Sequence, residues 1–463
     1  MRTILCRAAI TAAVPLCLNA APAGAQSPEV EALRQELQQI RSAYEQRITA
    51  LEAQLQAVEA RQRQAPAAPP TSTVAAPAAR PPASPVSANA GKRVVRDNSF
   101  NPSIGVILNG KFSTFSAEDS EIAGFAIGEE GERGREGLAI DESELNFSAN
   151  VDDKFYGSST VAVVREDGED KIELEEAYIQ TLPGLPLPDG FRLKAGRAFW
   201  TLGYLNEIHA HADDFADRPL PYRTFLNKSY NDDGVEAAWV LPPPFFAEIG
   251  GGVFRGEDFP AGGSEDGVES WSAFGRVGGD FGLRHNWRIG GYVLDSDIVS
   301  REANEGAVTF AGDSRLYIAD LRYTWALTGN PRQSELILQG EFFWRDEDGV
   351  YEDTDAGTGP IGFDDDASGW YVQSVYKFAP PWRVGVRYSR LDAPSVPAGL
   401  LGSALDPAGE DPEALAFMAD WTNSEFERLR FQYNRETLAA SKTDNQFVLQ
   451  YVMSIGAHGA HPF

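Results

Sequence analysis

The 463-residue sequence predicts an all-β protein: an antiparallel transmembrane barrel of about sixteen strands, preceded by an α-helical coiled coil and a structureless linker. Three observations point there. Apolar and polar residues alternate with period two over many short runs in residues 100–463, as half-buried strands require. The connections between those runs are mostly short and long in turn. The chain also carries 26 Phe, 15 Tyr, 9 Trp and 44 Gly, and no apolar run of ~20 residues beyond its first twenty positions. That composition excludes a disordered chain and a helical membrane protein.

At the N-terminus, Arg2 and Arg7 precede an apolar stretch from Ala8 to Leu18, and Ala23-Gly24-Ala25 offers a small-residue cleavage site before Gln26. Residues 1–25 therefore read as a secretory signal peptide. Cys17 follows Leu16, where a lipoprotein signal would carry a small residue. Both cysteines, Cys6 and Cys17, fall inside this segment, so the mature chain is expected to hold no thiol, disulfide or Cys-based metal site.

Residues 27–64 read as a helix. Its apolar positions Val30, Leu33, Leu37, Ile40, Tyr44, Ile48, Leu51, Leu55 and Val58 are three or four apart, a heptad seam with one stutter. Behind it, residues 65–95 are a Pro/Ala/Ser-rich spacer with nothing to cover that seam. The seam is expected to pair with copies of itself.

The predicted strands are 104–115, 138–151, 155–165, 172–182, 191–200, 234–241, 245–255, 270–281, 287–296, 314–327, 334–345, 369–378, 382–391, 414–424, 426–435 and 445–457. In the second, Leu145, Phe147, Ala149 and Val151 face one way, and Glu144, Asn146, Ser148 and Asn150 the other. Connections 152–154, 183–190, 242–244, 282–286, 328–333, 379–381 and the turn at Asn423–Glu425 are short. Those between them, 116–137, 201–233, 256–269, 297–313, 346–368, 392–413 and 436–444, are long and acidic, with 166–171 the short exception. Short turns on the periplasmic side and long loops outside are the barrel pattern, which puts the coiled coil in the periplasm.

The longest of these, 201–233, holds the candidate site: Glu207, His209, His211, Asp213, Asp214, Asp217, Arg218 and Arg223. On an extended segment His209 and His211 share a face, and two neutral imidazoles beside Asp213 suit Zn²⁺ or a similar ion. The competing reading is a pair of histidines that bond backbone or meet solvent. His458 and His461 form a second small cluster, or only the end of the last strand. Arg218, Arg223 and Lys228 stand beside Asp213, Asp214 and Asp217, either as opposed charges across a constriction or as salt bridges within the loop. Trp200, Tyr204, Phe215 and Tyr222 could stack sugars, but packing of the loop is the reading favoured.

Charge bears on the solute. Residues 1–90 carry 8 Lys+Arg and 6 Asp+Glu, which leaves 32 against 62 in the remainder, a balance of −30. Part of it, as in DEDGVYEDTD (346–355) and FDDDAS (363–368), suits a hydrophilic surface facing lipopolysaccharide through bridging cations. An acidic interior favours cations and repels anions and nucleic acid. Five histidines without a nucleophilic serine context give no hydrolase constellation, so no enzyme is expected.

The order signal, coiled coil, Pro/Ala linker and barrel resembles the coiled-coil-bearing members of the phosphate- and sugar-porin superfamily. Three stretches, NEIHAHADDFADRPLPYR (206–223), WRVGVRYSRLD (382–392) and LQYVMSIGAHGAHPF (449–463), are similar to a proteobacterial family of outer-membrane proteins labelled zinc-regulated or TonB-dependent receptors. The resemblance implies a Gram-negative outer-membrane channel for small hydrophilic solutes, a third outer loop folded into the lumen, and a homotrimer among lipid and lipopolysaccharide. It implies no cofactor other than Zn²⁺ or another divalent cation as solute or ligand. A TonB-dependent transporter would need about twenty-two strands and a plug domain, and phosphate selectivity a basic lumen. The alternative from another class is an anchor that tethers the outer membrane to peptidoglycan through the coiled coil.

Overall fold

The computed structural model describes residues 102–456, apart from 119, 167–168, 243, 264–266 and 440–441. The expected signal, coiled coil and linker, and His458 and His461, lie outside the described residues. The strands in chain order are β1 (Ser103–Thr114), β2 (Gly137–Ile140), β3 (Ser143–Asn150), β4 (Phe155–Glu166), β5 (Glu169–Thr181), β6 (Phe191–Phe199), β7 (Asn231–Val240), β8 (Phe246–Phe254) and β9 (Ser270–Phe281). They continue as β10 (His285–Ala303), β11 (Val308–Trp325), β12 (Glu335–Asp353), β13 (Ile361–Ala379), β14 (Trp382–Asp392), β15 (Glu413–Ser424), β16 (Glu427–Ala439) and β17 (Lys442–Gly456).

All lie in one sheet, and β1 closes it against β17 from Gly105↔Gly456 to Thr114↔Phe447. On its other side β1 pairs with both β2 and β3. These two segments are one stave, interrupted at Asp141 and Glu142, where Asp141 N–H still donates to Asn109 O at 2.9 Å. The barrel therefore has sixteen staves, an even number, and each predicted strand window falls on one of them.

Period-two alternation sorts the wall. Ile104, Leu108, Phe112, Leu145, Phe147, Phe342, Val372 and Phe431 face outward and exposed, while Glu144, Asp320, Glu341, Arg430, Gln432 and Gln450 are buried on the inner face. An apolar outer belt over a polar interior is what a bilayer outside and water inside select.

Two of the expected long loops are not loops. The stretches 297–313 and 346–368 are strand for most of their length: β10 and β11 stay paired to Ala303↔Val308, and β12 and β13 to Tyr351↔Ile361. Their acidity belongs to one face of a strand and not to a loop. Asp346, Asp348, Asp364 and Asp366 point outward, while Arg345, Glu347, Tyr351 and Phe363 point inward and are buried. Strands of 18 or 19 residues exceed the roughly 9–11 needed to cross a bilayer. Beyond the belt the outward face meets water, so carboxylates replace hydrocarbon without breaking the alternation. The 436–444 connection is likewise mostly strand.

At that end, Phe310, Tyr351 and Phe363 pack with Ala126, Leu400 and Leu405 from the connections before β2 and β15. Deeper inside, Trp200, Tyr222, Phe225 and Tyr230 from the loop before β7 pack on Phe254, Phe343 and Tyr371 of the wall.

Candidate functional site

The connection from β6 to β7 folds into the barrel, as the porin resemblance implied. Its two ends are stapled by Asn206, whose side-chain amide donates to Trp200 O (2.8 Å) and Tyr230 O (3.0 Å) and accepts from Tyr230 N–H (2.6 Å). Thr201 binds the Glu236 carboxylate on β7 through its amide and hydroxyl, both at 3.0 Å. Across the lumen, Glu341 on β12 accepts from Tyr204 N–H (2.8 Å), Tyr222 OH (3.0 Å) and Tyr371 OH (2.6 Å). Gly203 makes that approach possible. Its φ is +83°, and a Cβ there would sit 2.5 Å from the Tyr222 hydroxyl.

A short helix, α1 (Leu220–Leu226), then runs with every side chain buried. Pro219 and Pro221 start it, and Asn227 ends it in the left-handed region. Phe225 stacks on Phe343 at 6.0 Å, and Tyr222 meets the same ring edge-on at 5.1 Å. Trp200 and Tyr222 thus pack the loop on the wall, and Phe215 does so beside Ile337, Val375, Ala416 and Met418. Tyr204 lies between the guanidinium groups of Arg288 (4.6 Å) and Arg322 (4.7 Å).

The charged residues of the loop pair chiefly with the wall. Asp214 binds Arg383 at 2.8 Å, Asp217 binds Arg387 at 2.7 Å, and Arg223 binds Glu436 at 3.1 Å. Glu207 pairs with Arg276 on β9. Among the described residues, Asp213 with Arg218, at 2.8 Å, is the ion pair inside the loop. Neither sequence reading of these charges, an open transverse field or an intraloop salt-bridge set, describes this loop-to-wall arrangement. Burial alone would raise the Asp217 carboxyl, but the Arg387 guanidinium and the Gln432 amide outweigh it and hold the group below its ordinary value. Burial would raise Glu207 too, and Arg276 and Arg288 hold it down. For Asp213 burial prevails over Arg218, and its carboxyl is pushed up to about 7.

Backbone groups of the same stretch rest on β16. Arg428 donates to His211 O, Arg430 to Asp213 O at 2.7 Å, and Ala216 N–H to the Gln432 side chain at 2.7 Å. Asp420 on β15, fully buried, binds both Arg430 (2.8 Å) and Arg383. From there an amide ladder crosses the wall. Arg430 donates to Gln450 (3.1 Å), Gln450 to Asn109 (3.0 Å), and Asn109 to Asp141 (3.1 Å).

At the other end of the stretch the histidines meet glutamates. His211 Nδ1 lies 2.5 Å from Glu144 Oε1, and His209 Nδ1 lies 3.2 Å from Glu144 Oε2 and 3.6 Å from Glu175 Oε2. His209 Nε2 lies 3.1 Å from Glu176 Oε2. Burial alone would lower the His209 pKa, but Glu144, Glu175 and Glu176 outweigh it and hold the ring well above its ordinary value. Glu144, His209 and His211 bring one ligand atom each within 4.8 Å of one another, as do Glu142, Glu144, Glu175 and His209. Asp213, expected as the carboxylate partner of the imidazoles, belongs to neither group. Its side chain is turned to Arg218.

Sequence reasoning missed Glu175 and Glu176. Adjacent residues on a regular strand face opposite ways, but β5 carries a bulge: Thr160 pairs with Glu176 and Val161 with Leu174. The extra residue turns both glutamates inward. Glu144 was legible as an inward position, and its partners were not.

The fold and this loop together define a closed sixteen-stave β-barrel with a charged interior crossed by its own third loop. No family model matches the chain. An uncharacterized protein of Aquifex aeolicus is 29% identical over 392 residues, covering 79% of this chain and 80% of that protein. Among solved structures, the chain is similar to an anion-selective porin from Comamonas acidovorans (TM-score 0.48, 10% identity, 77% of this chain and 99% of that one). It is also similar to the outer-membrane channel DcaP of Acinetobacter baumannii (0.48, 12%, 77% and 97%) and to Salmonella typhi OmpF in complex with daunomycin (0.47, 10%, 76% and 97%).

Proposed function

We propose that the protein is a channel of the Gram-negative outer membrane through which small hydrophilic solutes pass by diffusion. The inward loop is its constriction, and cations are weakly favoured. One observation carries this reading: the outer face is apolar, while the inner wall and the loop crossing it carry many buried charged and amide side chains beside their aromatic cluster. The −30 balance of the region beyond residue 90 supports the cation preference, and the loop histidines make a divalent metal such as Zn²⁺ a candidate solute. The resemblance to the porin superfamily supports a homotrimer with the 27–64 helix in the periplasm. Sixteen staves closed around their own loop depart from the twenty-two strands and plug of a TonB-dependent transporter. The test is a planar bilayer holding the full chain in a KCl gradient. Discrete conductance steps with a reversal potential of cation sign are expected, and a silent bilayer with correctly folded protein sinks the proposal.

A second reading has its own support. The connections before β2 and β15 pack an apolar cluster of Ala126, Leu400 and Leu405 onto Phe310, Tyr351 and Phe363 at one end of the barrel, as would suit an anchor that need not conduct. Retention on peptidoglycan without conductance would favour it.

A further inference from the structure

We propose that Glu144, His209 and His211, with Glu175 completing the set, bind one divalent transition-metal ion of the Zn²⁺ class, fastening the inward loop to β3 and β5. The inference stands apart from solute passage, because an anchor barrel could hold the same ion.

Proton counting is the first argument. A neutral imidazole donates from one nitrogen only. Both nitrogens of His209 face carboxylate oxygens, Nε2 towards Glu176 at 3.1 Å and Nδ1 towards Glu144 and Glu175 at 3.2 and 3.6 Å. Carboxylate oxygens therefore converge on both ring nitrogens, and on Nδ1 from two residues at once. A convergence of acceptors needs a cation at its centre, either a second proton or a metal.

Geometry is the second. Zn²⁺ holds nitrogen and oxygen ligands near 2.1 Å in a tetrahedron, which places ligand atoms roughly 3.3 Å apart. The atoms of Glu144, His209 and His211 already lie within 4.8 Å of one another. Side-chain adjustment on the order of an ångström, without backbone rearrangement, gathers them.

The surroundings are built as a metal site's are. Glu176 on the far nitrogen of His209 is the carboxylate that orients a ligating imidazole and raises its basicity. Phe199 packs edge-on against that ring at 5.0 Å and holds its plane. The β5 bulge brings Glu175 and Glu176 to the same ring, one at each nitrogen. Two imidazoles with carboxylates and no thiolate select Zn²⁺, Ni²⁺ or Cu²⁺ over Mg²⁺ or Ca²⁺, which take oxygen shells.

The experiment uses the full chain, refolded in detergent, stripped with EDTA and titrated calorimetrically at pH 7.5 with ZnSO₄ or MgCl₂. One Zn²⁺ per chain is expected, and no Mg²⁺. Glu144→Gln and the double change His209→Ala, His211→Ala should weaken binding at least ~100-fold, and Glu176→Gln by about 10–100-fold. His285→Ala, on β10, should bind as the wild type does. Heat-modifiability on gels identifies variants that fail to fold. X-ray absorption of the wild-type Zn²⁺ complex, with nitrogen/oxygen ligands and imidazole outer shells expected, then decides without them. Absence of stoichiometric Zn²⁺, undiminished binding by folded Glu144→Gln, or an absorption spectrum without imidazole would mean that protons alone fill the site. Binding is read without conductance, so its failure leaves the channel proposal standing, and a silent bilayer leaves the metal site standing.

Discussion

The nine residues from His209 to Asp217 are held at both ends, by opposite means. Towards β14 and β16 the loop offers Asp213, Asp214 and Asp217 to a wall bearing Arg383, Arg387 and Arg430, and almost every charge has a near partner. Towards β3 and β5 it offers His209 and His211 to Glu142, Glu144, Glu175 and Glu176, where carboxylates outnumber imidazoles. The basic corner is a finished ionic lattice, whose members are costly to remove. The acidic corner has excess negative charge at close range, so its stability depends on a proton or metal taken from solution.

The largest effect that would test this contrast comes from the basic corner. Replacing Asp420 by Ala strands the buried Arg430 and leaves Arg383 with Asp214 alone, an expected loss of about 3–5 kcal/mol. Urea unfolding in detergent measures it, and a loss under ~1 kcal/mol would show that the lattice is not finished in this sense. Asp217→Asn should cost less, about 1–3 kcal/mol, because the amide keeps a contact to Arg387. Increased protease cleavage within residues 200–230 is its readout.

Acid should reproduce that change in the unaltered protein. Asp217 is held below its ordinary value, so its contribution is complete above the unfolded value near 3.9 and is lost as pH falls through the lower folded value. Loop cleavage by pepsin should therefore rise only below about pH 4, and less steeply in Asp217→Asn. The smallest effect has the opposite sign. In metal-free protein Glu175→Gln should leave stability unchanged or raise it by up to ~1 kcal/mol, because it relieves crowding among carboxylates. A clear destabilisation would mean that the acidic corner is as balanced as the basic one.

Much of the fold was legible because a barrel wall writes its two faces into alternate residues. Leu145 and Phe147 against Glu144, and Phe431 against Arg430 and Gln432, needed no partner to be read. Strand length in β10–β13 was not legible, because alternation says which side a residue faces and not what lies on that side. Asp346 and Asp364 look like loop residues until the bilayer is known to end below them. The site was half legible. His209, His211 and the three aspartates announced themselves in one segment, but their partners sit on strands far away in sequence, and the β5 bulge has no signature in EEAY. Asp213 looked like the metal carboxylate by nearness in sequence. Arg218, five residues on, competes for it and holds it.

The stapled loop also has a place in time. The glutamates that meet His209 lie 33, 34 and 65 residues earlier in the chain, whereas Asp217 waits for Arg387 at 170 residues and for Gln432 and Asn434 at 215 and 217. Strands joining a growing sheet in order would present the acidic corner as soon as β5 is laid down. The arginine corner does not exist until β16 arrives and the wall curls round to meet β1. Contacts that span so much chain form late, after the entropy of closing the large loop has been met. In that order the segment is fastened last, as the clasp of the barrel.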